Sequence, residues 1–404
     1  MVHRTSSDVL IEMAKGFPAV AIMGPRQCGK TTLAKMLFPD KPYVSLENPD
    51  FRRHATGDSR DFLETYRDGA ILDEIQYAPE LLSYLQEVLD SQPDVMGRFI
   101  LTGSRQFSIM EGLTQSLAGR IGILTLAPFS LAEAYGEHGQ IPGLHEVLFQ
   151  GLFPPVHSRP VAPSLWYPSY VQTYLERDVR QQIHIQDLGR FETFLRLVAG
   201  RSGQELNCLQ LGNDAGISHN TAKSWISVLQ AAGLVYLLPP YFNNFRKRLV
   251  KSPKLYLCDT GLLCWLLGIE TPAQLRTHSA IGAIFETFVV MEFLKERIFR
   301  GQTPNLYFWR DQGQLEIDLL VPEGDRVRPI EIKSGKTYQR EWSEPMRTWC
   351  SRVGDAALPG ILFYGGDARM SDSGIEIRPW NNLFSWDLKG QAICAANACP
   401  FNQP

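Results

Sequence analysis

No run of apolar residues in this chain approaches the ~20 that a membrane helix requires. The longest, such as GLLCWLLGI at 261–269, fall well short, which argues against a membrane partner. There is no excess of positive charge either: 40 Lys and Arg stand against 43 Asp and Glu, for a net charge of −3 and a pI of about 6.3. A chain so balanced does not attract nucleic acid as a whole, so any such contact has to come from local basic patches. A disulfide framework is missing as well. The seven cysteines, at 28, 208, 258, 264, 350, 394 and 399, are scattered and odd in number. Nothing at the start reads as a secretion signal, and a reduced, cytoplasmic protein is the expectation. Internal repeats and low-complexity tracts are absent. What is present is an ordinary globular mix, 44% apolar and 21% charged, over 404 residues, enough for two to four domains.

Short apolar runs alternate with helical patterns from 16 to 135. AVAIM (19–23), YVSL (43–46), AILDE (70–74), RFILTGS (98–104) and GILTL (122–126) read as strands, with KTTLAKMLF and PELLSYLQEVLD as helices between them. That alternation predicts a parallel sheet covered by helices. A Pro-, Gly- and His-rich stretch follows, and SYVQTYLERDVRQQI (169–183) reads as an amphipathic helix. Beyond it, a short helix, a turn at GIS, a helix from His219 to about Ala232 and the strand LVYLL make the pattern of a winged helix. Ser218 is placed to cap the second helix and Gly233 to end it. IGAIFETFVVMEFLKERI is apolar nearly all round and reads as a buried helix, followed by strands at LYFWR, EIDLLV, RPIEIKS and within AALPGILFYGG. The expected division is 1–135 for an AAA-type P-loop ATPase domain, 136–188 for a helical connector, 189–258 for the winged helix and 259–404 for an α/β nuclease-like domain.

Gly24, Pro25, Arg26, Gln27, Cys28, Gly29, Lys30 and Thr31 satisfy GxxxxGK(S/T), with Thr32 next, between a strand and a helix. Glycines there let successive backbone N–H groups turn toward phosphates at a helix N-terminus. Lys30 then reaches the β and γ phosphates of ATP, and Thr31 ligates Mg²⁺. Asp73, at a strand tip, suits a water-mediated Mg²⁺ contact, and Glu74 suits the base that polarises the attacking water. Thr102 and Ser104 end another strand, where a γ-phosphate sensor would sit. Arg120 and Arg105 are candidate arginine fingers, and an arginine supplied by a neighbouring copy would make a homo-oligomer. Cys28 lies where helix-terminus N–H groups would lower its pKa, and its plainer reading is a small residue that fills the loop.

A second constellation lies near the end. EIDLLVPEGDRVRPIEIKSGK carries Glu316, Asp318, then twelve residues to Glu331 and Lys333. Glu331 and Lys333 are two apart on a strand and share a face, and a hairpin-like return brings Asp318 beside Glu331. Two such carboxylates can hold one Mg²⁺ while Lys333 orients or deprotonates a water. Glu286, on the apolar helix, needs a partner, either the metal or Lys333. For DNA, the polar face of the helix at 219–231 is a candidate reader. Arg246, Lys247, Arg248, Lys251 and Lys254, interleaved with aromatics, form either a phosphate-binding segment or an interdomain strap that pairs with acids of the ATPase domain.

GPRQCGKTTLA, GAILDEIQYAPELLSYLQ, FILTGSRQF, SLAGRIGIL, GISHNTAKSWISVLQAAGLVYLLPPY, NFRKRLVKSPKLYLCDTGL and PIEIKSGKT together resemble a large prokaryotic family. Its members join an AAA-superfamily P-loop ATPase domain to a winged helix and a PD-(D/E)xK, restriction-endonuclease-like region. The resemblance runs in order from about Gly16 to Gly366. It implies ATP binding at Lys30, Thr31, Asp73 and Glu74, and a nuclease-like set of Glu286, Asp318, Glu331 and Lys333. GLFPP (151–155) departs from the Gly-Gly-aromatic-Pro turn expected there. The implied function is an ATPase coupled to a Mg²⁺-dependent DNA nuclease. The alternative is an ATP-gated binding switch whose nuclease fold is silent.

Overall fold

The computed structural model describes residues 2–104, 113, 115–136, 140–175, 188–241, 252–311, 313 and 315–385. It divides into two compact units. The first takes residues up to Pro239 together with Lys251–Pro304, and the second takes Pro240–Val250 and everything from Asn305.

The first unit begins with helix α1 (Ser6–Gly16), strand β1 (Ala19–Met23), α2 (Lys30–Leu37), β2 (Tyr43–Ser45), α3 (Pro49–Gly57), α4 (Ser59–Thr65), β3 (Ala70–Asp73), α5 (Leu81–Ser91), β4 (Phe99–Gly103) and β5 (Ile121–Thr125). The strands order as β2-β3-β4-β1-β5, and every pairing is parallel. Helices cover both faces of such a sheet, so its central strands carry no polar alternation. All five residues of β1, AVAIM, are buried. Ligand chemistry in sheets of this kind gathers beyond the carboxyl ends of the strands. Met23, Asp73 and Gly103 all end their strands on that edge.

Short helices follow: α6 (Leu131–Tyr135), α7 (Leu144–Gln150), α8 (Pro154–Ser158) and α9 (Pro163–Tyr170), the last running into a π-helical turn at Val171–Leu175. The helix expected at 169–183 lies outside the described residues beyond Leu175. Next come α10 (Leu188–Ala199), β6 (Gln204–Glu205), α11 (Cys208–Ala215), α12 (His219–Ala231), β7 (Val235–Leu238) and β8 (Lys254–Leu257), with an antiparallel sheet ordered β6-β8-β7. Ser218 Oγ accepts from the Thr221 N–H at 3.1 Å, and Gly233 leaves α12 with φ +72°.

Helices α13 (Thr260–Leu266) and α14 (Ile281–Phe299) complete this unit. The expected division starts a domain at 259, whereas the compact units part at 304. The reason is visible in α14, whose buried Lys295 donates to the Phe129 carbonyl at 2.8 Å while Glu292 accepts from the Leu131 N–H at 2.8 Å. Those bonds tie the helix to the segment that follows β5.

The second unit holds β9 (Tyr307–Arg310), β10 (Glu316–Glu323), β11 (Arg326–Lys333), α15 (Glu344–Val353), β12 (Ile361–Tyr364), β13 (Met370–Asp372) and β14 (Ile375–Pro379). Its mixed sheet orders as β13-β14-β12-β11-β10-β9. Trp309, Ile317, Leu320, Met346, Trp349, Leu362 and Ile377 form its core. Leu319 pairs with Ile330 across β10 and β11, which sets Asp318 opposite Glu331. The final antiparallel pair, β13 and β14, has no counterpart in the sequence reading.

Candidate functional site

The loop from Gly24 joins the end of β1 to α2. A Cβ at Gly24 would stand 2.0 Å from the Leu126 carbonyl oxygen, so only glycine fits there. Gly29 has φ +96°, the left-handed region where side chains are strained. Lys30 is 4% exposed, and its Nζ donates to the carbonyls of Gly24 (3.1 Å) and Pro25 (2.9 Å). Arg26 donates to the Tyr77 hydroxyl at 3.1 Å. Cys28 is fully buried, and burial pushes its thiol up despite the opposing charges of Lys30 and Arg4. The expected lowering of that thiol is overturned, because desolvation outweighs the loop's positive field.

Asp73 is the hub beneath the loop. Its Oδ1 accepts from the Thr31 hydroxyl at 2.7 Å and from the Thr102 hydroxyl, and its Oδ2 accepts from the Tyr43 hydroxyl at 2.8 Å. A hydroxyl and a carboxylate side by side are two hard oxygen donors, the chemistry Mg²⁺ prefers while keeping water or phosphate for its other positions. Glu74 follows in the left-handed region, φ +60°, a strained conformation that clusters at functional sites. Its N–H donates to Thr102 Oγ1 at 3.3 Å, and its carboxylate accepts from the Gln76 amide. Ser104 Oγ, Gln27 Oε1 and Gln76 Oε1 are buried without a hydrogen-bond partner among the described residues. Polar atoms so placed suit a polar ligand.

A cavity of about 580 Å³ adjoins Gly29 and Thr32, with Arg4, Phe129, Tyr135 and His157 in its walls. His157 Nε2 lies 2.9 Å from the Gly151 carbonyl, and burial lowers the pKa of the ring. Its ring meets those of Phe129 and Tyr135 edge-on. Sequence reasoning missed Arg4, Tyr43, Tyr135 and His157. They stand outside every motif, and only the fold brings them to the loop.

Arg120 does not join this site within its own chain. It precedes β5, whose Ile121 pairs with Ala19 at the start of β1, the edge opposite the loop. There its guanidinium grips Asp90, with Nη2 2.9 Å from Oδ2. Arg105 lies outside the described residues.

In the second unit, Lys333 Nζ lies 2.8 Å from Glu331 Oε2 and 3.4 Å from Asp318 Oδ2. The structure thus brings these three together. Burial foremost, with Asp318 second, pushes the Glu331 carboxyl well above its usual range, and Lys333 opposes this. Burial works against the Lys333 charge, but the two carboxylates overcome it and raise its pKa. Among the described residues Glu331 Oε1 is buried with no hydrogen-bond partner, and a carboxylate oxygen so placed fits a cation. Among the described residues, no group of three or more His, Cys, Asp or Glu is placed to hold a metal. Glu316 faces Arg310 across the strand pair at 3.5 Å.

Glu286, expected to meet the metal or Lys333, pairs with Lys254. It belongs to the first unit, where its Oε1 accepts from Lys254 Nζ at 3.0 Å and from the Tyr256 hydroxyl at 2.6 Å. A buried carboxylate on an apolar helix needs a cation, and the strand beside it supplies one. Lys254 is corrected by the same contact: it is 3% exposed and gripped by Glu286, so it does not offer its charge to phosphate. Arg246, Lys247, Arg248 and Lys251 lie outside the described residues. On α12, His219, Asn220, Lys223 and Ser224 are exposed, while Ala222, Ile226 and Leu229 are buried.

A parallel sheet with a glycine loop, lysine and threonine at one strand end and an Asp-Glu pair at another defines an AAA-type P-loop domain. The AAA domain family matches residues 16–135. Two domains of unknown function, DUF8612 and DUF4143, match 141–273 and 281–383. The chain is 33% identical over 371 residues to the uncharacterized proteins Rv2008c of Mycobacterium tuberculosis and Mb2031c of Mycobacterium bovis, covering 89% of this chain and 80% of theirs. It belongs to the same family as those proteins. Among solved structures, the Walker-type ATPase PABY2304 of Pyrococcus abyssi is similar at 15% identity and a TM-score of 0.40, covering 65% of this chain and 94% of that one. The RuvB Holliday junction branch migration motor of Thermotoga maritima is similar at 18% identity and a TM-score of 0.30, covering 59% and 90%. No helix among the described residues is long and apolar enough to cross a membrane.

Proposed function

We propose that this protein binds ATP at the Gly24–Thr32 loop and hydrolyses it. The observation that carries the reading is the Thr31 hydroxyl on the Asp73 carboxylate, 2.7 Å apart, directly under the loop that bears Lys30. Thr31 and Asp73 would hold Mg²⁺, which, when bound, neutralises charge on the β and γ phosphates. Backbone N–H groups at the start of α2 bind the phosphates. Lys30 exchanges its two carbonyl partners for phosphate oxygens. Glu74, steadied by Gln76, polarises the attacking water, and the Ser104 hydroxyl is free to report the γ-phosphate. The cavity lined by Phe129, Tyr135 and His157 takes the nucleoside. Lys30→Ala should abolish nucleotide binding in calorimetry. Glu74→Gln should keep binding and lower turnover by about 10²–10⁴. Equal turnover in wild type and Glu74→Gln would refute the assignment.

A second reading concerns the other unit. Asp318 and Glu331 with an orphaned carboxylate oxygen, beside a charged Lys333, support a PD-(D/E)xK-like centre that acts on DNA with Mg²⁺. The helix-turn-helix at α11 and α12, read as a winged helix, would present DNA. The silent-fold alternative draws on Glu286, which is spent on Lys254. Incubation with linear, circular and single-stranded DNA, with and without Mg²⁺, separates the two. Cleavage lost in Asp318→Ala and Lys333→Ala, with ATPase activity kept, supports a live centre. Binding without cleavage supports the switch.

A further inference from the structure

Arg4 stands two residues before α1, far in sequence from every motif. It is nevertheless 4% exposed. Its Nη1 donates to the Cys28 carbonyl at 2.8 Å, its Nη2 to the Ala127 carbonyl at 2.8 Å and its Nε to Glu133 Oε1 at 3.1 Å. The guanidinium lies over the rings of Phe129 and Phe299, at 4.9 and 5.2 Å. A buried guanidinium survives only if its charge is matched and its donors are used. Glu133 matches the charge. It is itself locked, because Oε1 also accepts from the Thr5 N–H at 2.7 Å and Oε2 from the Ser130 N–H at 3.0 Å.

We infer that Arg4 is a positioning residue for the phosphate loop, aiming the Gly29 N–H into the cradle by holding the other end of the same peptide. The inference rests on reading that loop as a nucleotide site. The peptide joining Cys28 to Gly29 is planar and trans, so its C=O and N–H point in opposite directions. With the Cys28 oxygen tied to Arg4, the Gly29 N–H is turned to the opposite side, away from the guanidinium. The left-handed φ of Gly29, +96°, leaves this peptide free to rotate in a way a side chain would forbid. An external anchor therefore has something to fix. Lysine cannot replace it, because one ammonium lacks the planar fork that meets two carbonyls and a carboxylate at once.

The test compares wild type, Arg4→Lys and the charge-balanced double variant Arg4→Met/Glu133→Gln. ATP turnover is measured across ATP concentration, calorimetric binding is measured with ADP and with pyrophosphate, and folding is followed by circular dichroism. A mis-aimed cradle weakens phosphate binding, so KM and both dissociation constants should rise about 10-fold or more in the double variant. Arg4→Lys should fall between. Loss of folded protein alone would lower kcat with KM unchanged, and that result would overturn the inference. So would an unchanged KM in a folded Arg4→Lys, should the double variant fail to fold. A wild type that binds neither ADP nor pyrophosphate would instead bring down the nucleotide reading, and this inference with it.

Discussion

Glu331 shows at the scale of one residue how burial and charge divide a site. Only 1% of it is exposed, and its carboxyl is held well above the usual range by burial and by Asp318. The unfolded chain releases that proton near the ordinary value of 4.5. Between that pH and the raised folded pKa, the folded state binds more protons than the unfolded state. Stability of the second unit therefore falls as pH rises through this window. Glu331→Gln removes the titration. Calorimetry from pH 5 to pH 8 should show a flatter profile for the variant. Above neutrality its transition should be higher, by about 4–8 °C for each kcal/mol recovered in a unit this small. Parallel profiles in the two proteins would show that Glu331 does not titrate there.

At the scale of elements, Asp259 caps α13 and reaches well beyond it. Its Oδ1 accepts from the Leu262 N–H at 2.9 Å and from the Tyr167 hydroxyl at 2.7 Å, and its Oδ2 accepts from the Leu152 N–H at 2.7 Å. One carboxylate thus joins the start of α13, helix α9 and the turn after α7. Asp259→Ala should destabilise the first unit by about 3–5 kcal/mol, since three buried donors lose a charged acceptor. Tyr167→Phe should cost about 1–1.5 kcal/mol. Urea melts check both, and equal small losses would refute the hub. The same contacts account for the unusual GLFPP turn. Only Gly151 needs positive φ, +68°, and Leu152 adopts none, so a leucine serves where a second glycine was expected. Local signals were legible in the sequence: AVAIM as a buried strand, Ser218 and Gly233 as the ends of α12, the P-loop between strand and helix. What local pattern could not carry was the choice of partner across long separations. Glu286 needed a cation by burial alone, but whether Lys254 or Lys333 supplied it is a matter of packing. The same holds for Arg4, whose composition and position carry no signal.

At the scale of the whole chain, the two units are interleaved in sequence. The first unit runs to Pro239, resumes at Lys251 and ends at Pro304, so the chain passes between units more than once. Pro240 and Tyr241 show what the excursion contributes: Pro240 bridges to Phe308, and the Tyr241 N–H donates to the Phe308 carbonyl at 2.8 Å. Both contacts lie beside β9, at the start of the second unit. The boundary at 304 therefore does not separate the units cleanly, because 240–241 would stay with the first fragment.

The bond from Lys295 to the Phe129 carbonyl closes a separation of 166 residues. A ribosome adding ~5–20 residues per second needs about 10–30 s to cover that interval. During this time the phosphate loop and its sheet have already emerged, while the helix carrying Phe299, which covers Arg4, has not been made. A nascent or prematurely terminated chain thus holds the glycine loop without its finished support. The last packing contact on Arg4 is therefore made only once most of the polypeptide exists.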